Sequence, residues 1–81
     1  MRTRHIPELS LGWRLKMSLA SAEMPAHVMA EKLEVSRATV SRWMADRGAP
    51  PHKVFVRQWA TLTGVDPTWL LTGANHHNHA A

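Results

Sequence analysis

Two arginines and a serine, Arg37, Ser41 and Arg42, are the side chains of this sequence best placed to do chemistry together. They stand at i, i+4 and i+5, which gathers them on one face if the stretch is helical. Two planar guanidinium forks and a hydroxyl give that face a positive charge and several hydrogen-bond donors. The surrounding charge points the same way. From Glu34 to Arg57 there are five cations, Arg37, Arg42, Arg47, Lys53 and Arg57, against two anions, Glu34 and Asp46. The 81-residue chain as a whole has ten Lys and Arg against six Asp and Glu, a formal charge of +4. A small basic domain is drawn to polyanions, of which nucleic acid is the commonest.

Those side chains need a rigid element beneath them, and the run AHVMAEKLEVSRATVSRWMA from Ala26 to Ala45 supplies it. Two helical patterns, Val28 to Leu33 and Arg37 to Ala45, are separated only by Glu34-Val35-Ser36, so one helix must turn sharply into the next. Met29, Ala30, Leu33, Val35, Val40 and Trp43 fall where both helices face a shared interior, and Arg37, Ser41 and Arg42 fall outside. Ser36 is the natural N-cap of the second of these helices, its hydroxyl within reach of the N–H of Thr39 or Ala38. Pro25 suits the first turn of the preceding helix and pushes Met24 out of the helical region. The pattern predicts a helix-turn-helix with a basic outer face.

The rest of the chain completes an all-α domain. Ser10 caps a first helix running to about Ser21, with Leu11, Leu15 and Leu19 on one apolar stripe and Arg14 and Lys16 facing solvent. Gly48 is expected to end the third helix, and Ala49-Pro50-Pro51 to stiffen the connection after it. A fourth helix, about Pro51 to Thr63, carries Val56, Trp59, Ala60 and Thr63 on one face. Beside them Phe55 and Leu62, seven apart, fit either a dimer seam or ordinary core. Gly64 stops this helix, and Asp66-Pro67 opens a short fifth one, Thr68 to Leu71, closed by Gly73. Residues 1–8, with Arg2, Arg4 and His5, are expected to form a flexible basic arm, 9–73 the single domain and 74–81 a disordered tail.

Several functions are disfavoured by what the chain lacks. It has no cysteine, so neither a disulfide nor a zinc–thiolate site can staple the fold. Core formation falls to the hydrophobic residues, 44% of the chain, and to Trp13, Trp43, Trp59 and Trp69, which read as core rather than as platforms for stacked bases. No nucleophile and base stand together: Cys and Tyr are absent, and Glu23, Glu31 and Glu34 read as surface charges. No enzymatic activity, cofactor or small-molecule ligand is expected. His76, His77 and His79 lack a fourth ligand, so no metal site is expected, while His27 and His52, near helix starts, can meet phosphates when protonated. No apolar run approaches the ~20 residues that span a bilayer, and the N-terminus has no signal-peptide stretch, so a cytoplasmic protein without a membrane partner is expected.

The segments MAEKLEVSRATVSRW and WATLTGVDPTWLLTG resemble the phage-repressor and Cro type of helix-turn-helix protein, over roughly residues 9 to 73. The resemblance implies a compact five-helix, lambda-repressor-like domain whose second and third helices are the helix-turn-helix. The family's small residue at the close approach of these two helices is Ala30 here, and its apolar positions are matched by Val35, Val40 and Trp43. Three departures carry expectations. Glu34 stands where the family usually has glycine, so it must either adopt a left-handed conformation or alter the turn, at a cost of about 1 kcal/mol. Pro25 and Ala26 replace a Ser or Thr followed by a phosphate-touching Gln, which leaves backbone N–H groups to serve there. Leu19 and Met44 occupy the places of an arginine–glutamate pair found in many relatives, as if a buried ion pair had been exchanged for an apolar one.

By the same resemblance the helix from residue 37 to 45 enters the major groove of double-stranded DNA. Arg37, Ala38, Ser41 and Arg42 would then be the base-reading residues, Ser41 at the groove edge. Each arginine fork matches guanine O6 and N7, and Ala38 offers only an apolar contact such as a thymine methyl. Ser36, Arg47, Lys53 and Arg57, with Arg2 and Arg4 of the arm, would meet the DNA backbone. The implied function is a transcriptional regulator, a repressor of a phage or bacterial operator, acting at the nucleoid as a homodimer formed in solution or only on DNA. Two other readings use the same fold. One is a protein-binding module such as an antitoxin or a phage-encoded host-factor binder, and the other an architectural factor in recombination.

Overall fold

Helix starts in this chain are set by side chains that accept the first free backbone N–H groups. In the computed structural model, which describes residues 10–74, Ser10 accepts from the Trp13 N–H at 3.0 Å and opens α1 (Leu11–Ala22). Ser36 accepts from Thr39 at 3.0 Å and opens α3 (Arg37–Met44). His52 accepts through Nδ1 from Val54 at 3.3 Å and opens α4 (Lys53–Thr63). Asp66 accepts from Thr68 at 3.2 Å and opens α5 (Pro67–Thr72). The exception is α2 (Ala26–Leu33), where Pro25 stands at the N-cap with no side-chain acceptor. All five helices follow the expected order, and no strand occurs among the described residues.

The ends of the helices are less ordinary. Glycines in the left-handed conformation close α4 and α5, Gly64 at φ 80° and Gly73 at φ 85°. Left-handed acidic residues close the first three instead: Glu23 at φ 56°, Glu34 at φ 61° and Asp46 at φ 57°. A side chain in this region costs about 1–2 kcal/mol relative to glycine. Partial compensation comes from backbone bonds that close each turn: Met24 N–H to Leu19 O at 3.0 Å, Val35 to Ala30 at 3.0 Å and Arg47 to Arg42 at 2.9 Å. Of the two expectations for Glu34, the left-handed residue is the one observed. The expectation that Gly48 ends the third helix is corrected: α3 stops at Met44, because Asp46 makes the reversal two residues before Gly48, which bends the connection that follows.

Inside, α1 packs against α3, α4 and α5, while α2 packs against α3 and α4. Leu15, Met29, Val40, Val56, Trp59 and Leu70, drawn from all five helices, are fully buried at the centre. Leu19 lies in this core and Met44 packs against it, as expected of an apolar pair. Trp59 brings the one indole that is almost wholly buried, and its Nε1–H donates to Ser18 Oγ at 2.7 Å. Ser18 in turn donates to Leu15 O at 2.7 Å, so the polar pair is satisfied within the core. Trp43 lies beside this group, its ring centroid 5.5 Å from Phe55 and 6.5 Å from Trp59. Phe55 thus belongs to the core margin, and Leu62 is left exposed.

Arg14 departs from expectation. It does not face solvent; it is buried, with Nε donating to Leu70 O at 2.9 Å and Nη2 to Leu71 O at 3.2 Å. It therefore caps the last carbonyls of α5, where a cation also meets the negative end of the helix dipole. Burial lowers its pKa below the ordinary arginine value, and the Asp46 carboxylate opposes that shift. Lys16 is exposed, as expected.

Two substitutions test the packing. Ser18→Ala leaves the buried Trp59 N–H without an acceptor and is expected to cost about 1–3 kcal/mol of unfolding free energy in a urea titration. Gly12→Ala adds a Cβ that would stand 2.5 Å from Met44 O and 2.6 Å from Asp46 Oδ2. It should destabilise by about 1–3 kcal/mol through overpacking, although alanine is the better helix former.

Candidate nucleic-acid interface

On α3 the inward positions are Val40, fully buried, and Trp43 and Met44, half-buried against the core. With these facing in, Arg37, Ala38, Ser41 and Arg42 emerge side by side and all are exposed. The outer face therefore carries two guanidinium groups and a hydroxyl, and no apolar side chain larger than alanine. A convex, donor-rich helix face of this kind fits a groove lined with acceptors.

Three contacts fix how that face is presented. At the N-terminal end, the left-handed Glu34 and the half-buried Val35 turn the chain, and the Ser36 cap starts the helix. On the inner side, Trp43 is held by Phe55 and Trp59. At the C-terminal end, Asp46 Oδ1 accepts from the backbone N–H of Gly12 at 2.9 Å. Gly12 lies in the first turn of α1, where that N–H has no partner within its own helix, so Asp46 caps α1 from 34 residues away. The same contact places a carboxylate at the positive end of the α1 dipole, a turn that holds no acidic residue of its own.

The residues expected at the DNA backbone are distributed unevenly. The Ser36 hydroxyl is engaged with Thr39, accepting its N–H and lying 2.8 Å from its Oγ1. Arg47 is exposed in the connection that leaves α3, and Lys53 is exposed at the first position of α4. Arg57 is exposed one turn further on and lines a cleft with Lys32, Gln58, Thr61 and Leu62. It is thus grouped with the end of α2 rather than with the outer face of α3. Arg2 and Arg4, the arm and the tail histidines His76, His77 and His79 lie outside the described residues. His27 is exposed, but His52 uses Nδ1 as the acceptor of its cap, so in this arrangement its role is to start α4. Among the described residues no cluster of His, Cys, Asp and Glu could hold a metal ion, and no helix is long and apolar enough to cross a membrane.

Four positioning residues escape the periodicity argument. Gly12 and Asp46 meet only in the folded chain, although a glycine inside a helical pattern is a recognisable sign of close packing. Arg14 sits at the edge of the buried face centred on Leu15, so its stem and head are both covered. Thr39 stands between the outward and inward faces of α3, half-buried.

The family comparison agrees with this geometry. Residues 10–71 match the model of the helix-turn-helix domain, and the chain belongs to that family of DNA-binding domains, whose members are not typically enzymes. No curated protein matches the chain.

The Asp46 contact can be checked by paired substitutions. Asp46→Asn keeps an acceptor and tolerates the left-handed backbone, and it should cost only the charge at the α1 dipole, about 0.3–1 kcal/mol in a urea titration. Asp46→Ala loses both advantages and should cost about 1 kcal/mol or somewhat more in the same titration.

Proposed function

We propose that this chain is a sequence-specific regulator of transcription that binds double-stranded DNA through α3, and that it acts as a repressor of the phage-repressor and Cro type. The observation that carries the reading is the exposed stripe Arg37, Ala38, Ser41 and Arg42 on a helix whose other side is locked into the core. Laid in the major groove, Arg37 and Arg42 each donate two parallel bonds to guanine O6 and N7, about 1–3 kcal/mol of discrimination per pair. Ala38 packs against a base edge, and Ser41 meets the groove edge. Arg47 and Lys53 follow the recognition helix onto the phosphates, with Ser36 at its start. Arg57, Arg2 and Arg4 extend the contact along the backbone and contribute affinity without sequence information.

A single domain of this size covers little DNA, so two copies on a two-fold operator are the arrangement that provides useful affinity. Repression then follows from occupancy, since a protein seated on an operator that overlaps a promoter blocks the polymerase. On this reading the protein works in the cytoplasm of a bacterium or of a phage-infected host.

Selection of bound duplexes from a random pool tests the proposal. An enriched half-site with G·C pairs, repeated about a two-fold axis, is expected. Arg37→Ala and Arg42→Ala should each reduce preference for that site by about tenfold or more. Affinity should fall with salt with a log–log slope of several units. A pool that shows no enrichment overturns the specific reading, and binding that ignores salt overturns its electrostatic part.

A further inference from the structure

Ser36, the N-cap of α3, forms with Thr39 and Arg42 a chain of three polar side chains, each three residues from the next. Ser36 Oγ accepts from the Thr39 N–H at 3.0 Å and lies 2.8 Å from Thr39 Oγ1. Thr39 Oγ1 also accepts from Arg42 Nη2, a long contact at 3.5 Å. Residues three apart on a helix are neighbours, and long helical side chains lean towards the helix N-terminus. The Arg42 guanidinium is accordingly drawn back over the first turn of α3, towards the cap.

The geometry points to Thr39 as a specificity-determining residue that acts through Arg42. Its oxygen holds one edge of the guanidinium and fixes the direction in which the fork faces. Nη2 carries two hydrogens; one is directed to Thr39, and the other, with the donors on the rest of the fork, remains for two parallel bonds to a base. An arginine free in solvent loses much of its rotamer freedom on engaging a base, and a side chain already held loses less. The proton count adds a second element. The two hydroxyls of Ser36 and Thr39 share one hydrogen bond, which uses one of their two protons. The other points away from the pair, as a donor for a phosphate oxygen at the groove edge. Thr39 is thus a positioning residue for a base contact made by its neighbour.

The inference rests on the DNA-binding reading, and one experiment separates the two. The selected duplex, and a series with each base pair replaced in turn, are titrated with the parent protein and with Thr39→Val, Thr39→Ser, Arg42→Ala and the Thr39→Val/Arg42→Ala double variant. Thr39→Val preserves shape, the N–H bond to Ser36 and a similar helix propensity, so its thermal midpoint should match that of the parent. Thr39→Ala serves as a second probe should valine perturb the fold. Expected is a loss of about 3- to 10-fold in preference at the base pair read by Arg42, with the salt slope and binding to unrelated DNA unchanged. Thr39→Ser should restore the preference, and Thr39→Val should add nothing in the Arg42→Ala background. An equal loss at every base pair, or an undiminished loss without Arg42, overturns the role of Thr39. If Arg42→Ala itself leaves every preference intact, base reading by Arg42 is what fails, and the role of Thr39 falls with it.

Discussion

The approach of α3 to the start of α1 is the constraint on which the presentation of the outer face depends. It is possible only because residue 12 has no side chain: Met44 O and the Asp46 carboxylate occupy the space that a Cβ would take. In that space Asp46 accepts the Gly12 N–H, so the C-terminal end of α3 is joined to the beginning of α1. Two residues along the same helix, Arg14 reaches the carbonyls of Leu70 and Leu71 and joins α1 to the end of α5. One short segment of α1 thus holds the C-terminal ends of two other helices. Backbone groups that would otherwise lack partners make both connections, and this gives the contacts direction as well as strength.

The core supplies the complementary restraint. Hydrophobic contact alone tolerates sliding, but the Trp59 indole N–H must find Ser18, and Ser18 must find Leu15 O, which fixes α4 on α1 in a single register. Trp43, in the last turn of α3, extends the aromatic group outward to Phe55 and ties the inner face of α3 to α4. Held at its cap, along its inner face and beyond its C-terminal end, α3 presents its arginines from a fixed backbone. A rigid element suits recognition, because little backbone order has to be gained on binding.

Left-handed acidic residues close three successive helices, which runs against both glycine preference and the helix dipole. For Asp46 the reason is the capped Gly12 N–H. Nothing in the structure explains Glu23 and Glu34 in the same terms, and both are exposed. In a helix-turn-helix the turn is short enough that the backbone bonds of Val35 and the burial of Leu33 on α2 hold Glu34 in place despite its Cβ.

Local chemistry determined a large part of this protein. The caps at Ser10, Ser36 and Asp66, the stops at Gly64 and Gly73 and the apolar spacing of Met29, Ala30, Leu33, Val40 and Trp43 act within one or two turns, so the five helices and the basic outer face were legible in the sequence. Phe55 could not be assigned to core or seam, because periodicity gives a face but not what covers it; the ring of Trp43 decides it. Arg14 escapes local pattern for a related reason: a charged residue at the edge of an apolar stripe reads as solvated until α5 brings two carbonyls to it. Gly48 was the obvious stop for α3, yet Asp46 makes the turn, since its side chain gains a partner 34 residues away. The sequence by itself determined which helices form and which face of the third is charged. Only the tertiary structure decided how that face is held, because the contacts that hold it join residues that local pattern cannot relate.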